Sequence, residues 1–157
     1  MVASFTASAN ANSGRPARNK MRILAVDPGE KHIGIALSDP TGTIATPLKV
    51  LLHISRPLDA VAIANLAQQH KVEMIIIGQS LDEDGSTTPQ SRRATRLADA
   101  IHQQCDLPVT MWDESFSTHE ARQARIEMGT TRRNRQGHLD DHAAAVILQS
   151  YLDSSAN

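Results

Sequence analysis

Acidic residues stand at the ends of three separate apolar segments, where carboxylates can do chemistry. Asp27 follows the first apolar segment, Asp113 and Glu114 follow the second, and Asp140 precedes the third. A carboxylate at the end of a buried strand loses hydration, and several gathered there would repel one another. Mg²⁺ and Mn²⁺ prefer carboxylate oxygen ligands and would neutralise such a group. The sequence therefore predicts a metal-assisted site assembled from distant segments.

The first two acidic positions also have ordinary structural explanations. Asp27, followed by Pro28 and Gly29, has the composition of a simple turn. Asp113 and Glu114 precede a predicted helix, and negative charge suits the dipole at a helix N-terminus. Because successive strand residues point to opposite faces of a sheet, at most one of these two acids is expected to face a site.

Asp140 and Asp141 open the last predicted helix, and either can be an N-terminal charge without a catalytic role. Helical spacing does not choose between them, because the residues that follow are apolar on both faces. This pattern indicates a substantially buried helix. A carboxylate on such a helix needs a partner, which favours a functional role.

Weaker candidates lie near these acids. Gly78 follows an apolar strand and Gly85 lies in the next polar loop, so both would allow backbone amides close to a phosphate. Gly29 would let a hairpin approach a ligand closely. His138 neighbours Asp140 and is a candidate for proton transfer or phosphate contact, although an ordinary loop histidine is the simpler interpretation.

Charge and aromatic content restrict the nucleic acids that the chain could bind. The net charge of −1 argues against a broadly basic coat protein, and the 3% aromatic content argues against base stacking as the main mode of binding. Arginines nevertheless cluster at residues 92–96 and 122–135, where they could hold phosphates or simply form solvated surfaces. The predicted nucleic-acid contacts are Arg122, Arg132, Arg133, Arg135 and Lys31.

Length and composition suit one domain. The chain has 157 residues, no apolar run long enough to span a membrane, and a single cysteine, Cys105, which suits a reducing compartment. Residues 1–20 lack acids and periodicity and are expected to be a disordered tail before a domain over residues 21–153. This tail has no secretory apolar region, and a transit peptide is the less favoured interpretation. We expect a cytoplasmic protein.

The regular pattern after residue 21 predicts an α/β fold. An antiparallel meander of three strands is followed by helices that alternate with parallel strands, and Pro47 is expected at an edge or bulge. This order implies a mixed sheet with helices on both faces. The predicted strands are residues 22–26, 32–38, 43–50, 72–78 and 109–112, and the predicted helices are residues 57–70, 90–104, 117–128 and 139–152.

Taken together, these segments resemble the YqgF family, also called RuvX, which comprises pre-16S rRNA nucleases and Holliday junction resolvases. The resemblance covers about residues 22–152 and is specific in the order and spacing of its motifs rather than in any one of them. The matching stretches are ILAVDPGEKHIGIALSD at 23–39, ATPL at 45–48, IIIGQSLDEDG at 75–85, WDESFST at 112–118, Glu120-Ala121, and LDDHAAAVILQSYL at 139–152.

The resemblance implies an RNase H-like fold with a mixed five-stranded sheet, and metal-dependent hydrolysis of phosphodiester bonds. By position it makes Asp27, Glu114 and Asp140 the catalytic acids and the ligands of Mg²⁺ or Mn²⁺, with Asp113 as an accessory residue. It favours Asp140 over Asp141. It also favours processing of the 5′ end of pre-16S rRNA over cleavage of branched DNA.

This chain departs from the family pattern at two places. Gln79 and Ser80 replace the usual Leu-Pro after Gly78, and Ser115 replaces an arginine that could pair with a carboxylate or contact phosphate. A non-catalytic nucleic-acid-binding protein on the same fold is therefore an alternative. A phosphate-binding module related to actin-like ATPases is a remote one, since those enzymes need two lobes. The polarity of cleavage, the number of metals, and a monomeric or homodimeric state stay open.

Overall fold

The structure, a computed structural model, describes residues 21–114 and 139–156, with the side chains of residues 139–141 and 156 left out. Its elements alternate as the sequence predicts, with three strands followed by helices and single strands in turn. In chain order they are β1 (Ile23–Pro28), β2 (His32–Ser38), β3 (Ala45–Leu52), α1 (Arg56–Gln69), β4 (Met74–Gln79), α2 (Pro89–His102), β5 (Val109–Asp113) and α3 (Leu139–Ala156).

The strands form one five-stranded mixed sheet in the order β3-β2-β1-β4-β5. The meander β1-β2-β3 is antiparallel, whereas β1, β4 and β5 run parallel to one another. The carboxyl ends of the three parallel strands therefore meet at one edge of the sheet. This arrangement confirms the predicted α/β fold and its mixed sheet.

β1 extends further than the sequence predicts. Asp27 and Pro28 pair with Gly34 and Ile33 of β2, so both belong to the antiparallel ladder. The prediction of a turn beginning at Asp27 was therefore wrong in its first two residues. The turn begins at Gly29, whose N–H donates a hydrogen bond to the carbonyl oxygen of His32.

β3 is the edge strand of the meander, and Pro47 lies beside its irregularity. Ile35 of β2 pairs with Lys49 while Ala36 pairs with Pro47, so Leu48 is an extra residue in β3. A proline cannot donate to a strand ladder and is tolerated at an edge or bulge. Both parts of that prediction are confirmed.

α1 and α2 pack on the same face of the sheet. Their sequences differ in how clearly they indicate which side of the helix is buried. In α2, Ala94, Leu97, Ala98 and Ile101 are buried, as their spacing predicts. For α1 the sequence predicts an inner face of Leu58, Val61, Ala62 and Leu66, and this prediction was wrong in part. Leu58 and Val61 are exposed, whereas other residues pack inward. The buried residues of α1 are Asp59, Ala60, Ile63, Leu66 and Ala67.

The buried carboxylate of Asp59 explains much of the difference between the predicted and the observed inner face of α1. Asp59 is only 5% exposed, and it accepts a hydrogen bond from the backbone N–H of Ile54 and contacts the imidazole of His53. These partners satisfy a polar side chain that would otherwise be costly to bury. Apolar residues lie all round this helix, so their spacing alone does not select its inner face.

α3 covers the opposite face of the sheet. Its Ala144, Ile147, Leu148 and Leu152 form a second apolar core with strand residues such as Ala25, Ala36 and Ile76. The sheet is therefore covered on both sides, as predicted.

The predicted helix at 117–128, the polar loop at 130–137 and the tail at 1–20 lie outside the described residues. Within the described ranges, no helix is long and apolar enough to cross a membrane.

Candidate active site

The parallel strands carry Asp27 and Glu114 on the face that α3 covers. In β1, Ile23 and Ala25 belong to the core under α3, so Asp27 shares their face by strand alternation. Trp112 of β5 packs against this core, and Glu114 follows the end of that strand. Its Oε2 lies 3.4 Å from where a Cβ on Gly78 would be, next to Ile147 of α3, so Glu114 is on the same face. Both acids are half-buried. Two distant acids therefore lie at one edge and on one face.

Gly78 lies between the two acids on the intervening strand. Val26 pairs with Ile77, so the next residues along these parallel strands, Asp27 and Gly78, are neighbours. Gly78 itself pairs with Trp112 on the other side. A Cβ added to Gly78 would lie 3.4 Å from Oε2 of Glu114. The carboxylate of Glu114 thus reaches back over β4 toward the strand that carries Asp27.

Asp113 faces the other way. It is the last residue of β5 and pairs with Gln79, whereas Val109 and Met111, on its own face, pack against the core under α1 and α2. The structure therefore separates Asp113 from Glu114 by the thickness of the sheet. This matches the expectation that at most one of the two acids would face a site.

Two contacts fasten α3 to Trp112 of β5, two residues before Glu114, and a third fastens it to Met74 of β4. The indole Nε1–H of Trp112 donates a hydrogen bond to Oγ of Ser150 at 3.2 Å. The rings of Trp112 and Tyr151 meet edge to face at 5.2 Å, and the Tyr151 hydroxyl donates to the Met74 sulfur at 3.8 Å. These contacts fix the helix over the strand that leads into Glu114.

Position 140 lies in the first turn of α3, which spans Leu139–Ala156. The side chain of Asp140 is outside the described part of the structure, so its place relative to Asp27 and Glu114 stays a prediction. Residues 144, 147 and 148 of the same helix are fully buried against the sheet. The helix thus begins on the face that carries the two acids.

A network that the sequence did not reveal holds the end of β4. The amide of Gln90, in the first turn of α2, accepts a hydrogen bond from the N–H of Ser80 and donates to the carbonyl oxygen of Gly78. The hydroxyl of Thr88 donates to the carbonyl oxygen of Ser80. Ser80 replaces a proline of the family pattern, and its N–H supplies the bond that a proline could not. That departure was visible in the sequence, but its partner Gln90 was not.

The weaker candidates are partly described. Lys31 is exposed in the turn after β1, at the same edge as the acids. Gly29, in that turn, leaves no room for a side chain, because a Cβ would meet the carbonyl oxygen of His32 at 2.4 Å. Arg122, Arg132, Arg133, Arg135, Ser115 and His138 lie outside the described residues.

Two carboxyl groups with lowered pKa values lie in loops away from the paired acids. Backbone N–H groups of Ile44 and Thr43, with the Thr41 hydroxyl, hold the pKa of Asp39 well below its ordinary value. Hydrogen bonds from the side chain and backbone of Ser86 lower the pKa of Asp84. Asp39 is partly exposed and Asp84 is exposed, and both are bonded within their own loops, so these shifts report loop structure.

The donor set at the carboxyl edge suits a hard divalent cation. Asp27 and Glu114 offer carboxylate oxygens, which are the ligands that Mg²⁺ and Mn²⁺ prefer. Among the side chains that the structure describes, no group of three or more His, Cys, Asp or Glu could hold a metal. The predicted third ligand, Asp140, is not among those side chains.

Solved structures share this fold. RuvC from Thermus thermophilus, in complex with a Holliday junction substrate, superposes with a TM-score of 0.54 at 15% identity, covering 85% of this chain and 96% of RuvC. The Fowlpox virus resolvase bound to Holliday junction DNA gives a TM-score of 0.53 at 16% identity, covering 87% of this chain and all of the resolvase. The fold is RNase H-like, as the sequence predicted.

Sequence relatives identify the family. Residues 21–154 match the family described as "RuvX: Holliday junction resolvase". A protein of Halothermothrix orenii is 37% identical over 133 residues, which cover 85% of this chain and 95% of that protein. One from Syntrophus aciditrophicus is 40% identical over 134 residues, covering 85% and 89%. Both are named "Putative pre-16S rRNA nuclease".

The fold and these relatives define a nuclease. The chain belongs to the RuvX family, and the resemblance inferred from its motifs is confirmed.

Proposed function

We propose that this nuclease hydrolyses phosphodiester bonds with Mg²⁺ or Mn²⁺ held by Asp27, Glu114 and Asp140, and that it processes the 5′ end of pre-16S rRNA. The observation that carries the proposal is the placement of Asp27 and Glu114 on one face, on either side of Gly78. Two half-buried carboxylates so placed repel one another, and a cation bound between them would relieve that repulsion. Cys105, the single cysteine, suits the reducing cytoplasm, where we place this activity.

The orientation of α3 supports Asp140 rather than Asp141 as the third ligand. The side chain of Gln149 bonds to Ala45 of β3, whereas that of Ser150, about 100° further around the helix, bonds to Trp112 of β5. The Gln149 side of the helix therefore faces the β3 edge of the sheet, and the Ser150 side faces the β5 edge. At about 100° per residue, position 140 lies about 180° from Gln149, and position 141 about 180° from Ser150. Position 140 therefore belongs to the side that faces β5.

Ile147 supports the same assignment. Its Cδ1 lies 2.5 Å from the place where a Gly78 Cβ would be, next to the Glu114 carboxylate. Position 140 precedes Ile147 by two helical turns and lies only about 20° from it around the helix. Position 141 lies about 120° away. We therefore assign the metal to residues 27, 114 and 140.

Each residue has a distinct task in the proposed reaction. The carboxylates of Asp27 and Glu114 would hold the cation at the carboxyl edge of the parallel strands, and Asp140, in the first turn of α3, would complete the ligand set. When bound, such a cation lowers the pKa of a water and stabilises the attacking and leaving oxygens of an in-line displacement. We propose that Arg122, Arg132, Arg133, Arg135 and Lys31 bind flanking phosphates.

The test is a cleavage assay with a labelled pre-16S rRNA leader and a four-way DNA junction, each with Mg²⁺, Mn²⁺ or EDTA. We expect metal-dependent cleavage of the leader, which is lost in Asp27→Asn, Glu114→Gln and Asp140→Asn. Asp141→Asn is the matched control for position 140, and Asp113→Asn for position 114. Both controls should keep the activity.

Each other outcome of this assay has a definite meaning. Cleavage of the junction alone would replace the RNA substrate with branched DNA. Metal-independent binding of the leader without cleavage would favour a non-catalytic nucleic-acid-binding protein. Cleavage unchanged by Asp27→Asn would reject the metal site itself.

A further inference from the structure

Gly78 has no space for a side chain on the face that carries the acids. A Cβ built there would lie 2.5 Å from Cδ1 and 3.3 Å from Cγ1 of Ile147, and 3.4 Å from Oε2 of Glu114. The first distance is shorter than any carbon–carbon contact that a packed protein tolerates. The bare surface of β4 at this residue is therefore filled by a helix side chain and bordered by a carboxylate.

Ile147 has little freedom to move out of the way. It is 1% exposed, and its helical neighbours Ala144 and Leu148 are completely buried against the sheet. Close-packed interiors leave few voids into which a methyl group can rotate. A side chain at residue 78 would therefore push on α3 itself, whereas it would meet the Glu114 carboxylate at an ordinary van der Waals distance.

We infer that Gly78 is a positioning residue for the metal site. Its missing side chain lets α3 lie close over β4, next to the carboxylate of Glu114. The first turn of α3 carries Asp140, so the height of this helix above the sheet also sets the reach of the third proposed ligand. This inference rests on the proposed function.

This role differs from the one that the sequence predicted. A glycine after an apolar strand would allow a backbone amide to approach a phosphate, whereas the missing side chain here faces Ile147 and Glu114. The carbonyl group of Gly78 is bonded to the Gln90 amide. The requirement for glycine therefore comes from packing over the strand.

The experiment compares Gly78→Ala, Ile147→Val and the double variant. Valine lacks the Cδ1 methyl that a new Cβ at residue 78 would meet, so the second substitution removes the collision. We measure the Kd for Mn²⁺ by quenching of the fluorescence of Trp112, the single tryptophan, together with the cleavage rate at saturating Mn²⁺ and the Tm.

We expect Gly78→Ala to raise the Kd for Mn²⁺ about tenfold, the size of effect seen when support of a metal ligand is lost. Ile147→Val should bind Mn²⁺ like the wild type, and the double variant should recover most of the lost affinity and rate. A merely structural role would lower the Tm without changing the Kd of the folded protein.

The other possible outcomes would contradict either the role of Gly78 or the proposed function. Wild-type affinity in Gly78→Ala would overturn the inference while leaving the proposed nuclease intact. A loss that Ile147→Val does not relieve, or a double variant that fails to fold, would mean that Ile147 is not the group that the side chain meets. A wild-type protein that neither binds Mn²⁺ nor cleaves would reject the proposed function, and with it the role of Gly78.

Discussion

The two faces of the sheet end differently at the carboxyl edge of the parallel strands. On the face under α1 and α2, the apolar core continues to Val26 and Ile77, both 0% exposed. On the face under α3, the next residues along these strands are Asp27 and Gly78. In β1 and β4, the residue that follows the last core residue therefore lies at the edge where the proposed site is.

This difference shows that residues of the stabilising core and residues of the proposed active site can be next to each other on the same strand. Side chains alternate along a strand, so the three parallel strands supply Val26, Ile77 and Met111 to the core on one face, whereas Asp27 and Glu114 lie on the other. The alternation also makes the site sensitive to register, because a shift by one residue would exchange Asp27 with Val26. The comparison can be tested by substituting neighbouring residues that differ only in the face they occupy.

The largest expected effect is a loss of activity on substitution of Asp27, on the face under α3. Asp27→Asn removes the charge of a proposed metal ligand, and we expect the cleavage rate to fall by more than about 100-fold, the upper range for loss of residues that only support a ligand. The Tm should change little. The neighbouring substitution Val26→Ala, on the apolar face, should give the reverse pattern of a lower Tm with nearly full activity. Equal losses of activity would contradict the division between the faces.

The next effect is on stability, from the apolar face. Ile77→Ala removes a side chain that is 0% exposed, and we expect it to lower the free energy of unfolding by about 2–5 kcal/mol. Urea unfolding followed by circular dichroism measures this change. Below its transition temperature the variant should still bind Mn²⁺ with wild-type affinity. A weaker Kd in the folded variant would mean that the apolar face also shapes the site.

A smaller effect is expected from the hydrogen bonds of Gln90 at the end of β4. Gln90→Leu removes the hydrogen bonds to the N–H of Ser80 and the carbonyl oxygen of Gly78. Ser80 is exposed whereas Gly78 is buried, so we expect a loss of about 1–2 kcal/mol and a Tm lower by a few degrees. The matched control is Gln103→Leu, an exposed glutamine at the other end of the same helix. Similar shifts in the two variants would contradict a role of the Gln90 bonds.

The smallest effect should come from Asp39, in the turn between β2 and β3. Hydrogen bonds from Ile44, Thr41 and Thr43 lower its pKa in the folded state, so the ionised carboxylate stabilises the fold at neutral pH. That contribution is complete above the unfolded pKa of about 3.9 and is lost as the pH falls through the lower folded value. Asp39→Asn should lower the Tm slightly at pH 7, and the difference should fade below about pH 4. A difference that grows in acid would contradict this linkage.

The sequence predicted elements best where one pattern dominated. In α2, apolar residues at helical spacing stand among charged ones, and the buried face follows directly. In α1, Leu58 and Val61 look equally suited to burial but are exposed, because Asp59 is turned inward by its partners His53 and Ile54. Such partners come from the segment before the helix, and helical periodicity contains no information about them.

The acids show the same limit. Their alternation along the strands indicates that only one of Asp113 and Glu114 can face α3, but it does not say which face carries the site. That choice depends on Gly78 and Ile147, which are far apart in sequence and meet only in the fold. The choice between Asp140 and Asp141 likewise needs the contacts of Gln149 and Ser150 with opposite edges of the sheet.

The most direct test of the proposed site is anomalous diffraction from crystals grown with Mn²⁺, which locates the ion without reference to activity. We predict a peak at the carboxyl edge of β1 and β4, coordinated by the carboxylates of Asp27 and Glu114 and approached by Asp140 from the first turn of α3. A Mn²⁺ peak elsewhere on the protein, with none beside Asp27 at saturating metal, would contradict the account.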